Sequence, residues 1–294
     1  METDATVAGG SSVKGQLVVA LGAQRYRVER PFGALPGGRG RVSDVAVDAT
    51  GQIHVLLRFD PLIDPSEPRV VTLDAAGQPL SAWGGDFIAD SHMLTAVGDR
   101  LLIVDRDAHQ VIICRINGQQ IGSIGERHQP HAPFNHPTDV AACPKGTLYV
   151  SDGYANARIH RFRPSGEPLA SWGTLGDGPG QFMNPHAIWV LPDGRVVVVD
   201  RENDRLQVFS PDGAWIAIWA GFRRPLAIWG DAQGRLYVTD AVPSLSLLSP
   251  EGALLGRCRP VLNGAHGISG DETGRLFLAE GNPSRVTCLV PLSS

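Results

Sequence analysis

The sequence predicts an all-β fold, a six-bladed β-propeller, and three observations support this prediction. One unit recurs along the 294 residues: an apolar alternating run, a turn such as Asp-x-x-Gly-Arg, and a β-branched run that typically ends in an acid. These run ends are 47, 47, 48, 40 and 40 residues apart, which is the length of a four-stranded blade. They are Arg58, Asp105, Asp152, Asp200, Asp240 and Glu280. The 35 glycines and 22 prolines supply the turns that such a fold needs.

The remaining strands of each unit follow the same pattern. A third run, such as residues 158–162 or 205–209, precedes a Pro-x-Gly turn at 164–166 or 211–213. A fourth run then ends at a tryptophan, as in SAWG, ASWG and AIWA. Because β-branched and aromatic residues favour strands and glycine favours tight turns, each unit is predicted to be a set of hairpins.

Ring closure is predicted at the two ends of the chain. The sixth unit has no fourth strand after residues 285–292, whereas the N-terminal part carries a spare strand pair. Residues Tyr26 to Pro31 are therefore expected to form the outer strand of the last blade, which removes an open sheet edge. We expect a single domain over residues 15–294, with a flexible segment at 1–14 and no helix.

Charge and hydropathy limit the classes of partner. With 26 basic and 30 acidic side chains, the net charge is −4 and no run of like charges stands out. This disfavours nucleic acid and anionic membranes as partners and leaves a small molecule as the expected substrate. The apolar stretch at 17–23 is too short to span a bilayer. The four dispersed cysteines favour free thiols in a reducing, cytoplasmic compartment over disulfides. A monomer is expected, because a propeller buries its sheet edges.

Histidine occupies the same position in alternate units. Aligned at the predicted innermost strands, units two, four and six carry His92, His186 and His266. In a six-bladed ring these positions are related by a near-threefold axis, so the three imidazoles should converge at one end of the central channel. Three neutral imidazoles with one open position are typical of a catalytic zinc site. The alternative is that they are three unrelated histidines among the nine present.

Several strings resemble a known family. Residues 134–141 (FNHPTDVA), 148–159 (LYVSDGYANARI), 178–190 (GPGQFMNPHAIWV) and 197–209 (VVVDRENDRLQVF) are similar to the NHL-repeat propeller of peptidyl-α-hydroxyglycine α-amidating lyases. The resemblance implies a six-bladed propeller whose three histidines bind one zinc ion, here His92, His186 and His266. It also implies an active-site tyrosine at Tyr154 and arginines at Arg201 and Arg58.

The chain departs from the family pattern at two positions. The family usually carries a methionine where this chain has Gly264, and an acidic calcium ligand where it has Gly267. No channel calcium is therefore expected on the family pattern. A proline-rich loop holds three further histidines, of which His136 could contact substrate; a second metal site there is disfavoured because nothing fixes the loop geometry. The three are His128, His131 and His136. We expect His109 to lie in a strand as a packing or rim residue.

The resemblance implies cleavage of the C–N bond of an N-acyl-α-hydroxyglycine to glyoxylate and an amide. Tyr154 is the expected base, because a neighbouring guanidinium favours the phenolate. Either Arg58 or Arg201 would support it, while the other binds the substrate carboxylate with two hydrogen bonds. Arg106 shares the register of these arginines and is a further substrate-binding candidate.

Each of these residues also has a structural interpretation. The three arginines could form ion pairs with Asp105 and Asp200, and Tyr154 could be a stacked turn aromatic. The acids at the ends of the second strands are expected to accept backbone N–H bonds from a neighbouring blade's turn. These acids are Asp152, Asp200, Asp240 and Glu280.

Two other function classes remain open on this fold. A calcium-dependent hydrolase or lactonase would need several carboxylate and amide ligands at the channel mouth, where the aligned register offers Asp44 and Asp139. A non-catalytic NHL module that binds protein or RNA would carry a basic or apolar patch and no metal.

Overall fold

The computed structural model describes residues 16–35, 40–60, 62–64 and 66–293, which form six antiparallel sheets. The predicted six-bladed β-propeller is confirmed, because the innermost strands contact each other in a closed cycle. The segment 1–14, expected to be flexible, lies outside the described residues.

Before the first complete blade the chain forms two strands, β1 (Val18–Leu21) and β2 (Gln24–Glu29). Blade one contains β3 (Arg41–Val47), β4 (Ile53–Arg58), β5 (Val70–Leu73) and β6 (Pro79–Trp83). Blade two contains β7 (Ser91–Val97), β8 (Arg100–Asp105), β9 (Gln110–Arg115) and β10 (Gln120–Ile124). Blade three contains β11 (Asp139–Ala142), β12 (Leu148–Asp152), β13 (Arg158–Phe162) and β14 (Pro168–Trp172).

A short parallel pair, β15 (Thr174–Leu175) and β16 (Gln181–Phe182), connects blades three and four. Blade four contains β17 (Pro185–Val190), β18 (Val196–Asp200), β19 (Arg205–Phe209) and β20 (Trp215–Trp219). One 3₁₀ turn, Arg201–Asn203, follows β18. Blade five contains β21 (Pro225–Gly230), β22 (Leu236–Asp240), β23 (Ser244–Leu248) and β24 (Leu254–Cys258). Blade six contains β25 (Gly267–Gly270), β26 (Leu276–Gly281) and β27 (Ser284–Pro291).

The N-terminal strands complete blade six. Strand β2 pairs with β27, with Tyr26 opposite Pro291 and Glu29 opposite Cys288, as the sequence predicted. However, β2 is not the outermost strand, because β1 pairs with its other edge and makes the sheet five-stranded. Strand β1 contacts blade five, and its Leu21 is fully buried in the core there, which explains why this extra strand forms.

Neighbouring blades pack through apolar faces and one recurring contact. The tryptophan that ends an outer strand lies against the Pro-x-Gly turn of the next blade. A Cβ atom added at Gly213 would lie 2.7 Å from the Trp172 ring, and φ at this glycine is +89°. Glycine is required here both by the left-handed backbone and by the close approach of the indole ring. The same contact joins Trp83 to Gly118 and Trp219 to Gly252, so the tryptophan and the turn glycine recur together at three blade junctions.

The inner strands begin at the face where the second strands end, which we call the upper face. Pro185 at the start of β17, for example, pairs with Asp200 at the end of β18. Below this level the channel contains a cavity of about 80 Å³ whose lining includes Asp44 and Asp139, with Trp189 and Trp229 at its far end. Within the described residues, no helix has the length and apolar character needed to cross a membrane.

Candidate metal centre

Three histidines meet at the upper end of the channel. His92 and His186 are the second residues of β7 and β17, and His266 directly precedes β25. One ring nitrogen of each lies within 4.8 Å of the other two. The ring centroids are 4.9 to 5.1 Å apart, which makes the triangle nearly equilateral. The structure therefore brings together the three histidines that the register predicted.

The blade that follows each histidine holds its ring. The Nδ1 atoms of His92, His186 and His266 lie 2.6, 2.7 and 2.8 Å from backbone carbonyl oxygens. Those carbonyls belong to the residues at the matching register of the next blade: Thr138, Leu226 and Ser43. Because a carbonyl oxygen only accepts, each Nδ1 carries the hydrogen and each Nε2 presents its lone pair. Such second contacts fix the orientation of metal-binding imidazoles.

The three rings are neutral near pH 7. Burial holds the pKa of His92 and of His186 well below the ordinary range, and neighbouring imidazoles lower it further. Burial also lowers the pKa of His266 to about 4. Three neutral nitrogen donors at this spacing fit a tetrahedral metal ion with one open position. The cluster could therefore hold a metal, and zinc remains a prediction.

The side chain of Tyr154 reaches the same point. It lies in the turn after β12, and its hydroxyl oxygen is 3.0 Å from His92 Nε2 and 3.2 Å from His186 Nε2. Its ring is flanked by two guanidinium groups, with Arg106 Cζ 5.2 Å and Arg201 Cζ 5.6 Å from the centroid. The packing expected of a stacked turn aromatic is thus present, and it directs the hydroxyl group at the three histidines.

Two of the candidate arginines share one buried aspartate. Arg58 makes two parallel contacts with Asp90, Nε to Oδ1 at 2.6 Å and Nη2 to Oδ2 at 2.8 Å. Arg106 Nη2 lies 2.8 Å from the same Oδ2, and its Nε donates to Asp107. The suggested ion pairs of these arginines with Asp105 do not form, since Asp105 accepts the backbone N–H groups of Ala89 and Asp90.

The third arginine, Arg201, lies on the other side of Tyr154. It pairs with Glu202, 2.8 Å from Nη2 to Oε1, rather than with Asp200. Asp200 instead accepts bonds from Arg205 and from the backbone N–H of Met183. Arg58, Arg106 and Arg201 all lower the pKa of His266 after the larger effect of burial. The three guanidinium groups therefore lie close enough to the histidine cluster to act on its charge.

The histidine-rich loop forms a rim beside Tyr154. The carbonyl of His136 accepts the Tyr154 N–H at 3.3 Å, and its Nε2 lies 3.9 Å from an Asp107 oxygen. His109 is not in a strand as expected, because it occupies the turn before β9 with φ of +58°, where its Nδ1 accepts the His136 N–H. Substrate contact by His136 remains a prediction.

A second three-residue metal cluster is not formed by the loop histidines among the residues that the structure describes. Within that part of the chain, the triad is the one group of three or more histidine, cysteine or acidic side chains close enough to share an ion. The loop residues in question are His128, His131 and His136.

The acids at the ends of the second strands accept structural hydrogen bonds, with two differences from expectation. Asp152, Asp200 and Asp240 accept N–H groups of the connection that enters their own blade, from Asn135, Met183 and Arg223. Glu280 bonds to the side chains of Arg285 and Thr287 instead. The three aspartates thus accept backbone N–H groups as predicted, but the donors come from the connection of their own blade and not from a neighbouring blade's turn.

A layer of acids lies one residue below the histidines, in alternate blades. Asp44 accepts the Leu94 N–H and Asp139 accepts the Ile188 N–H, each at 2.9 Å and each from the next blade. Burial raises the pKa of Asp139 to about 7, and burial with the nearby Asp139 raises that of Asp44. A Cβ atom at Gly267 would lie 2.7 Å from the Asp44 Cα, so Asp44 fills the space beside this glycine.

The NHL repeat family matches residues 134–162 and 182–209. The peptidyl-glycine alpha-amidating monooxygenase of Mus musculus is 31% identical over 203 residues, which cover 59% of this chain and 21% of that protein. A probable peptidyl-alpha-hydroxyglycine alpha-amidating lyase of Caenorhabditis elegans is 38% identical over 115 residues, covering 37% and 33%. The chain thus spans about a fifth to a third of these relatives.

Solved structures show the same architecture at low identity. A putative gluconolactonase superposes with a TM-score of 0.69 and 15% identity, over 92% of this chain and 94% of that one. A streptogramin B lyase gives a TM-score of 0.66 and 11% identity, over 93% and 100%. These two likenesses concern the fold alone. The predicted resemblance is confirmed: the chain carries NHL repeats on a six-bladed propeller and is similar in sequence to amidating lyases.

Proposed function

We propose that this protein is a zinc-dependent lyase that cleaves the C–N bond of an N-acyl-α-hydroxyglycine or a related carbinolamide, releasing glyoxylate and an amide. One observation carries the proposal: a tyrosine hydroxyl lies at the Nε2 atoms of two neutral histidines, and the tyrosine ring lies between two arginines. The relatives named amidating lyases support the same reaction class.

The donor set fits zinc. His92, His186 and His266 are neutral, their Nδ1 atoms are hydrogen-bonded, and their Nε2 atoms are the available donors. When bound there, zinc would polarise the hydroxyl oxygen of the substrate and make its proton easier to remove. The reaction requires no second metal ion.

We assign proton transfer in this reaction to Tyr154. Tyr154 accepts the proton of the substrate hydroxyl, and its ring is held between the guanidinium groups of Arg106 and Arg201. The C–O bond becomes the aldehyde C=O of glyoxylate as the C–N bond breaks and its electron pair passes to nitrogen. The nitrogen then takes up a proton, which Tyr154 is placed to return.

Arg58 is the expected carboxylate-binding residue. Its Nε and one Nη2 hydrogen are used by Asp90, which leaves the Nη1 end of the guanidinium for a substrate oxygen. Arg201 is held by Glu202, whose Oε1 contacts both Nε and Nη2, and it serves either the carboxylate or Tyr154. Binding the carboxylate fixes which face of the α-carbon meets the histidine cluster.

The calcium-dependent lactonase alternative is less well supported. Asp44 and Asp139 are fully buried below the histidines, and both oxygens of each carboxyl group accept backbone N–H groups. They therefore do not offer the open set of carboxylate ligands that calcium prefers. The alternative of a non-catalytic module gives no account of the histidine, tyrosine and arginine cluster.

Glyoxylate release from N-acetyl-α-hydroxyglycine tests the proposal. The zinc-loaded protein should release glyoxylate, while a chelated sample and His186→Ala should lose both bound zinc and activity. The matched control is His128→Ala, an exposed histidine outside the cluster, which should keep both. No release from zinc-loaded wild-type protein would refute this function and direct the search to other hydroxylated or lactone substrates.

A further inference from the structure

We infer that Asp90 is a positioning residue, which holds Arg58 and Arg106 in place to bind the single carboxylate group of the substrate. The inference rests on the proposed function, because it specifies how that substrate is recognised. Asp90 was not among the residues predicted from the sequence, and it touches the arginines rather than the reacting atoms.

The backbone of Asp90 is fixed from two sides. Its N–H donates to Asp105 Oδ1 at 2.8 Å, and the N–H of Ala89 donates to the other oxygen at 2.9 Å. The Asp90 carbonyl accepts the N–H of Arg106 at 2.9 Å. Asp105 is fully buried at the end of β8, so this connection has a rigid anchor in the sheet.

The Asp90 side chain joins two blades at the mouth of the channel. Arg58 comes from the end of β4 in blade one, and Arg106 follows β8 in blade two. The Asp90 carboxylate is only 5% exposed, whereas the two arginine side chains are 30% and 23% exposed. The carboxylate is therefore buried while the guanidinium groups reach the solvent-accessible side, where a ligand would enter.

The pairing decides which guanidinium nitrogens are available. Asp90 uses Nε and Nη2 of Arg58, and Asp90 with Asp107 uses Nη2 and Nε of Arg106. In the described part of the chain, neither Nη1 nitrogen has a protein hydrogen-bond acceptor. Two Nη1 groups held next to one aspartate match the two oxygens of one carboxylate group.

Charge gives the second reason for the arrangement. Two neighbouring guanidinium groups repel each other, and a carboxylate between them removes much of this repulsion. Long arginine side chains also lose rotamer freedom on binding a ligand, unless another contact already holds them. Glu202 makes a similar contact across the mouth, since its Oε1 lies 2.8 Å from Arg201 and 3.0 Å from Arg224.

The experiment compares two inert ligands on the zinc-loaded protein by titration calorimetry: N-acetylglycine, which has the carboxylate, and N-acetylglycinamide, which does not. Wild-type protein should bind N-acetylglycine at least about tenfold more tightly, and Asp90→Asn should remove most of this difference. Asp90→Asn should weaken binding less in an Arg58→Ala background than in wild-type protein, because only Arg106 is then left for Asp90 to hold. In the lyase assay Asp90→Asn should raise KM more than it lowers kcat.

Asp99→Asn is the matched control. Asp99 also lies between two arginines, 3.0 Å from Arg115 and 3.7 Å from Arg100, but at the opposite end of strand β7. The Asp99→Asn protein should bind both ligands with the same affinity as wild-type protein. If Asp90→Asn does not fold, Asp90→Glu keeps the charge but displaces it by one methylene group, and it should still weaken N-acetylglycine binding.

The inference would be overturned by no preference of wild-type protein for the carboxylate, or by unchanged preference in a folded, zinc-loaded Asp90 variant. Additive losses in the double variant would count equally against it. Failure of the proposed function is a separate result, because carboxylate binding that depends on Asp90 without any glyoxylate release would refute the lyase reaction and retain the role of Asp90.

Discussion

Replacement of Tyr154 by phenylalanine is the sharpest test of the proposed chemistry. The change removes one oxygen atom, which lies 3.0 and 3.2 Å from two histidine Nε2 atoms, and keeps the ring that packs between Arg106 and Arg201. Loss of a positioned general base costs roughly 100-fold to 10,000-fold in rate. We therefore expect kcat to fall by that factor, equivalent to about 3 to 5 kcal/mol in the barrier.

Zinc binding should survive this change, because the contacts that orient the histidines do not involve the tyrosine. The three Nδ1 atoms keep their carbonyl partners, and KM should change little because the arginines are untouched. The assay measures kcat and KM for glyoxylate release together with zinc content per chain. His266→Ala provides the contrast, since it should lose zinc and activity together. A kcat in Tyr154→Phe within about threefold of wild type would refute the assignment of this residue as the base.

Two further predictions concern the acid layer below the histidines. Burial raises the pKa of Asp139 from 3.8 to about 7, so the folded protein holds this proton in a pH range where the unfolded chain releases it, and stability should fall as pH rises from about 4 to 7. The side chain of Asp139→Asn does not titrate, so this variant should not lose stability in the same way. Urea unfolding of both proteins in the same metal state should show its free energy of unfolding rising, relative to wild type, by on the order of 2 to 3 kcal/mol between pH 5 and pH 8. A difference that stays constant with pH would contradict the raised pKa. Gly267→Ala should lower stability by about 1 to 3 kcal/mol, because its Cβ would lie 2.7 Å from the Asp44 Cα. Unchanged melting of this variant would show that the channel accommodates a side chain there.

The fold and the histidine cluster could be predicted because a propeller converts sequence register into position. Equivalent residues of successive inner strands lie at the same height around one axis. Residues that share a register in alternate units are therefore predicted to lie close together. The positions of His92, His186 and His266 followed from this rule without knowledge of any contact. The closing strand followed from counting strands, although the extra strand β1 did not, because blade five rather than the repeat determines its packing.

The residues that hold the arginines could not be predicted in this way. Asp90 and Glu202 lie in connections between strands, where no repeat fixes the register and where backbone geometry decides which side chains meet. Sequence reasoning paired the arginines with the acids at the ends of the second strands, which are nearest in the chain. In the structure, Asp105 and Asp200 accept hydrogen bonds from backbone N–H groups. The arginines are instead paired with other acids, Asp90 and Glu202. The alternating pattern of a strand also does not predict which residues, such as His109, adopt a left-handed turn conformation.

The metal centre is a property of the closed ring and not of any one blade. Each histidine ring is oriented by a carbonyl of the next blade, and the last of these contacts runs from His266 in blade six to Ser43 in blade one. Strand β2 completes the sheet of blade six, and the His266 contact joins that blade to the first blade of the ring. The acids one residue lower repeat the same principle, since Asp44 and Asp139 each bind the inner strand of the following blade. Closure of the ring therefore both stabilises the fold and sets the spacing of the three nitrogen donors.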